Sequence, residues 1–160
     1  MKARAAFLSM GLALAVTSGA QAQPAKPDAD TAKIRDCIKQ KAEEADGGES
    51  CIFVIATPCT ETPEGGSTHG TADCYRRETA IWDAILNESF RALNEKLDAK
   101  QKTALRDMQR AWIGVRDMTC KFYNDFYRGS MAVPMNAACL TRETARRALF
   151  LHRFAQENPG

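Results

Sequence analysis

Residues 71–97, TADCYRRETAIWDAILNESFRALNEKL, followed at once by DAKQ (98–101), decide the fold. Cys74, Ile81, Trp82, Ile85, Leu93 and Leu97 recur at helical spacing, with Phe90 between, so a long amphipathic helix capped by Thr68 or Thr71 is expected to run to about Leu97. Asp98 with Gln101 three places on is a capping pair for a second long helix to about Tyr127. Its inner stripe is read as Leu105, Met108, Trp112, Val115, Thr119, Cys120 and Tyr123. The short turn at residues 97–100 makes the two helices an antiparallel hairpin.

Downstream, Gly129, Ser130 and Pro134 interrupt the pattern, so Arg128–Pro134 is expected to be a connection. Residues 136–156 are helical again, with Leu140, Thr144, Ala148, Leu151 and Ala155 in register. Upstream, residues 31–44 give a short helix carrying Ile34, Cys37, Ile38 and Lys41, ended by Asp46-Gly47-Gly48. The apolar run Cys51–Ala56 fits a strand or a helical turn. A short helix is preferred because no other stretch offers a strand partner. Residues 60–70, with Pro63, Gly65, Gly66 and Gly70, form a loop. The fold class is therefore all-α: a small disulfide-stabilised bundle made of a long antiparallel hairpin, a third C-terminal helix and a short helical N-terminal preface.

Residues 1–22 have the anatomy of an export signal: Lys2 and Arg4, an apolar stretch of 12 residues from Ala5 to Val16, and Ala20-Gln21-Ala22 as a small-x-small cleavage site. Twelve apolar residues fall short of the roughly 20 that a spanning helix needs. The expected organisation is a signal peptide (1–22), a Pro- and Ala-rich leader (23–30), a Cys-rich preface (31–70) and a helical domain (71–157). The chain is 160 residues long, one domain by size. Its formal charge of +2 falls to zero without Lys2 and Arg4. That balance gives no general attraction to nucleic acid, and no stable membrane insertion is expected after cleavage. Residues 23–82 hold 7 bases and 11 acids, whereas residues 83–160 hold 13 and 9. The acidic half is a candidate for steering a basic partner.

All six cysteines, 37, 51, 59, 74, 120 and 139, follow the signal, and none forms a Cys-x-x-Cys pair. An even number behind an export signal reads as three disulfides in an oxidising compartment, periplasmic or secreted. Cys120 with Cys139 would close the last connection; the other four pair among themselves, Cys37–Cys51 with Cys59–Cys74 being one arrangement.

Charged groups on buried stripes need partners. Glu78, Gln109, Arg116, Thr144 and Arg147 all fall on inner faces, and a single network joining Glu78 to Arg116 or Arg147 is expected. His69 and His152 belong to no ligand motif, and nucleophile-elbow, zincin, phosphate-loop and haem motifs are absent, so neither metal nor cofactor is expected. Two acid pairs, Asp83 with Glu88 and Asp117 with Asp125, are the residual option for glycosidase chemistry, but acids on long helices are ordinarily solvated or ion-paired.

The combination Cys74-x3-Glu78, Trp82-Asp83-x2-Leu86-Asn87-x2-Phe90, then Gln109-x2-Trp112-x3-Arg116-Asp117-x2-Cys120, then Gly129-Ser130-Met131 and Cys139-Leu140-x3-Thr144-x2-Arg147 resembles the LprI family, named for a mycobacterial lipoprotein that inhibits lysozyme. The resemblance runs from about Ala72 to Ala155. It implies a small, exported, helical, non-enzymatic protein with lysozyme as the leading partner. The chain departs in lacking a lipid-attachment cysteine and in having Arg128 where many members have another glycine. An inhibitor needs a rigid projection rather than chemistry of its own, and Arg128, Gly129, Ser130 and Met131, between Cys120 and Cys139, are the candidate binding loop. The alternatives are an envelope adaptor or stress protein that binds another cell-envelope component, and a weak peptidoglycan-binding module, which needs an exposed Trp82 or Trp112.

Overall fold

Asp98 fixes where the hairpin turns. Its carboxylate accepts the Gln101 amide at 2.8 Å while Gln101 Oε1 accepts the Asp98 amide at 2.9 Å, a reciprocal cap that starts a new helix directly after Leu97. The computed structural model of the protein describes residues 28–41 and 44–157. The expected export signal and the leader up to residue 27 lie outside the described residues. The described residues form five helices, α1 (Ala29–Lys41), α2 (Ala56–Thr60), α3 (Thr68–Lys96), α4 (Ala99–Tyr127) and α5 (Ala132–Gln156), with a 3-10 turn at Glu49–Cys51. Among the described residues there is no strand.

Side-chain caps start α1, α3 and α4. Asp28 accepts the Thr31 amide at 2.8 Å, so α1 begins at Ala29, ahead of the expected Thr31, and these hydrogen bonds from Thr31 hold the Asp28 carboxyl below its usual range. Ser67, rather than Thr68 or Thr71, caps α3 by accepting the Gly70 amide at 3.0 Å. Thr71 instead donates its hydroxyl to the Gly65 carbonyl at 2.8 Å, which closes a loop of residues 61–67, shorter than the expected 60–70 because α3 already begins at Thr68. That loop folds so tightly that a Cβ at Gly65 would lie 1.9 Å from the Cys59 carbonyl oxygen.

Helix α5 is the centre of the molecule. It runs parallel to α3, tied by Thr141 Oγ1 to the Tyr75 carbonyl (3.1 Å) and by Lys96 Nζ to the Ala155 carbonyl (2.5 Å). It runs antiparallel to α4, tied by Asn136 Nδ2 to the Cys120 carbonyl (2.7 Å) and by Arg147 Nε to Gln109 Oε1 (2.8 Å). Small buried residues on α5, among them Ala137, Thr141, Ala145 and Ala148, let two neighbours approach at once. The α3–α4 hairpin is therefore antiparallel but splayed by α5, and α3 packs mainly on α5 rather than on α4. Ile34, Trp82, Ile85, Leu93, Leu105 and Leu151 form the continuous core.

The register of α4 corrects the sequence reading. Leu105, Gln109, Trp112, Arg116, Cys120 and Tyr123 form its inward stripe, while Met108 (38% exposed), Val115 (57%) and Thr119 lie outside. The expected stripe followed apolar character at a 3.5-residue period. The helix presents a 3.6-residue period to a single neighbour, and that row includes polar side chains.

Three disulfides brace the assembly: Cys37–Cys51, Cys59–Cys74 and Cys120–Cys139, with Cα separations of 5.8, 5.7 and 5.4 Å. The first ties α1 to the 3-10 turn, the second ties α2 to α3, and the third joins α4 to α5. Because all six sulfurs are used, no free thiol remains.

Candidate functional site

The connection between α4 and α5 is shorter than the sequence indicates. Ala132, Val133 and Pro134, expected in the loop, form the first turn of α5, where proline lacks only an amide hydrogen that the helix does not need. Only Arg128, Gly129, Ser130 and Met131 remain outside the helices, and all four are exposed. Two of them turn the chain through positive φ, Arg128 at +42° and Gly129 at +75°. Arg128 therefore occupies backbone space that suits glycine, the residue expected there from the family resemblance.

The tip is held from below. Cys120–Cys139 joins its two helices, Asn136 grips the Cys120 carbonyl, and Arg142 Nη2 donates to the Tyr123 hydroxyl at 3.1 Å. Neither the Arg128 guanidinium nor the Ser130 hydroxyl makes a hydrogen bond or ion pair among the described residues. Both are presented to solvent on a braced turn.

Beside the tip lies an aromatic band that sequence reasoning missed. Phe122 (61% exposed) and Phe126 (67%) are separated by one helical turn, and Tyr123 stacks on Tyr127 at 5.9 Å between ring centroids. Together with Thr119 these rings line an open hollow of about 510 Å³. Two aromatic pairs spaced by four residues were the available signal, obscured by placing Tyr123 alone on the inner stripe.

The expected polar network separates into two clusters. Glu78 is fully buried and meets neither Arg116 nor Arg147. Its Oε1 accepts the Phe53 amide (2.6 Å) and the Trp82 indole N–H (2.8 Å), and its Oε2 accepts the Ile55 (2.9 Å) and Ala56 (2.7 Å) amides. Residues 52–55 are thus neither strand nor helix, because a carboxylate satisfies their backbone. Gln109 and Arg147 form the second cluster. Arg147 lies 5.6 Å from the Trp112 ring centroid, which Arg116 covers from 4.9 Å while pairing with Asp117. Burial pushes the Arg147 guanidinium below its usual pKa. Thr144 Oγ1 and Arg147 Nη2 are buried without a hydrogen-bond partner.

The other chemical candidates stay apart. His69 is exposed at the start of α3, and His152 is half-buried on α5 near Arg35. Asp83 accepts a hydrogen bond from Asn87 Nδ2, Glu88 pairs with Arg35, and Asp117 pairs with Arg116. Among the described residues no group of three or more His, Cys, Asp or Glu is placed to hold a metal ion. Trp82 is fully buried and Trp112 lies half-buried under two guanidiniums, so neither offers the exposed indole that a stacked sugar needs.

A disulfide-braced, all-helical scaffold with a fixed exposed turn defines the class of protein. The family model described as "Lysozyme inhibitor LprI" matches residues 59–151, and the chain belongs to that family. The match reaches back to Cys59 and so includes the Cys59–Cys74 disulfide, beyond the span at which the resemblance was read. No curated protein and no solved structure matches the chain. Among the described residues no helix is long and apolar enough to cross a membrane.

Proposed function

We propose that this protein is an exported, non-enzymatic binding protein that inhibits a lysozyme by inserting the Arg128–Met131 tip into the enzyme's cleft. Family membership supports the target class, and one structural observation carries the site: four exposed residues, with a cation and a hydroxyl that are unpaired among the described residues, stand on a turn fixed by Cys120–Cys139. A lysozyme cleft contains catalytic carboxylates and sugar-binding polar groups. Arg128 is the complement to the first and Ser130 to the second. Rigidity matters because a preformed tip loses little conformational entropy on binding. The three disulfides fit an oxidising compartment, and the export signal read at residues 1–22 makes that compartment periplasmic or extracellular.

The test is cell-wall lysis by several lysozyme types in the presence of oxidised protein 23–160, with a reduced and alkylated control. Dose-dependent inhibition that is lost on reduction and lost in the Arg128→Ala/Ser130→Ala variant is expected. Failure to inhibit any type at high excess refutes the proposal. Full inhibition by the double variant removes the tip as its site.

A further inference from the structure

Helix α4 carries a second apolar row that no part of the described chain covers. Ala104, Met108, Ala111, Val115, Met118 and Phe122 follow one another by four, three, four, three and four residues, the spacing of a coiled-coil seam. The row lies beside the stripe that faces α5, and its exposure is high: 57% at Val115, 69% at Met118 and 61% at Phe122. A contiguous patch of this kind marks an interaction surface.

Three features make the row complementary to itself when reversed. Gly114 is the one glycine in α4, costs the helix stability, and has nothing within 4 Å of a Cβ built on it. It leaves open space on the flank of the row, level with its middle, where a second backbone can approach. Asp107 and Lys121 lie seven residues before and after it on the same flank, so an antiparallel helix centred there sets Asp107 against the partner's Lys121 twice. A parallel pair in register would instead set like charges at the same level. Side-chain size is reversed as well. The bulky end, with Phe122 and Phe126, would meet the small end, where Ala104, Met108, Leu97 and Phe154 line an apolar hollow of about 310 Å³.

We propose that the outer row of α4 is an antiparallel homodimer interface, covered by α4 of a second copy of this chain. Arg128 lies fourteen residues beyond Gly114, so the dimer holds its two tips about 40 Å apart at opposite ends, both free to bind.

Sedimentation equilibrium of oxidised protein 23–160 is the test, with circular dichroism and thermal melting to verify folding of each variant. A dimer is expected, and Val115→Glu/Met118→Glu is expected to be a folded monomer. Asp107→Lys and Lys121→Asp should each raise the dimer Kd about tenfold, and an equimolar mixture of the two should recover a heterodimer, because opposite charges again face one another. A wild-type monomer at the highest soluble concentration overturns the proposal. So does a dimer that survives Val115→Glu/Met118→Glu, or single charge reversals that do not complement on mixing. If the wild type is a monomer and Val115→Glu/Met118→Glu loses lysozyme inhibition, the row belongs to the enzyme contact and the dimer is refuted.

Discussion

Replacing Glu78 by glutamine changes one atom and tests how the N-terminal preface is held. Both carboxylate oxygens are acceptors for groups that can only donate: the Phe53 and Trp82 N–H groups on Oε1, and the Ile55 and Ala56 amides on Oε2. A glutamine retains one oxygen, so whichever way its amide is turned, two buried donors face an NH2 group. A buried donor left without a partner costs about 1–3 kcal/mol, and the two remaining bonds lose their charge assistance, giving an expected loss of about 4 kcal/mol. Domains of this size are stable by about 5–15 kcal/mol, so the variant should remain folded at 25 °C with a much reduced margin. The assay is equilibrium urea unfolding with all disulfides oxidised, at unchanged m-value. Trp82→Phe, which removes one of the four donors and leaves a carboxylate lone pair vacant, should cost less than Glu78→Gln. A loss below about 1 kcal/mol for Glu78→Gln would refute the reasoning, since four buried donors cannot depend on that carboxylate and also tolerate its conversion to an amide.

Other expectations follow from the tip, the brace and the charges. Arg128→Gly should raise stability by about 1 kcal/mol by relieving a side chain at φ +42°, whereas Arg128→Ala should not; chemical denaturation separates them, and equal effects would dismiss the strain. Cys120→Ala/Cys139→Ala should cost about 3 kcal/mol by freeing the closed loop in the unfolded chain, and should weaken inhibition more than the remaining folded fraction explains. Burial, with the Arg35 charge second, lowers the pKa of His152, and Glu88 opposes both. The unfolded chain therefore binds the proton more readily, and the contribution of His152 is present above its ordinary value of 6.5 and lost as pH falls below it. The thermal midpoint should drop between pH 7 and pH 5, and His152→Leu should flatten that slope; an unchanged slope assigns it elsewhere. If the acidic preface steers a basic lysozyme, the association rate should fall with added salt, and a flat response removes the steering step.

The long helices were legible because their causes are local. The spacing of Ile81, Trp82, Ile85 and Leu93 and the Asp98–Gln101 cap each act within a few turns of chain, and both survive in the structure. Family membership was legible for the same reason, since Gln109, Trp112, Arg116 and Cys120 occupy fixed intervals on one helix.

Which groups meet across helices was not legible, because an intrahelical period gives a face but not the neighbour that covers it. Glu78 needed partners by its burial, yet sequence offers only charged side chains as obvious ones, whereas backbone amides 22 to 25 residues away are invisible in composition. Met108 and Val115 looked inward because apolar character was equated with burial, and α5 proved too narrow a neighbour to cover two rows of α4. The long helices, the Asp98–Gln101 cap and the family were readable from residue order, all products of near-neighbour chemistry. Packing across the chain sets the rest: α5 splits the hairpin, Glu78 closes the preface, and the four tip residues and the outer row of α4 face solvent, because burial is a property of packed surfaces rather than of residues.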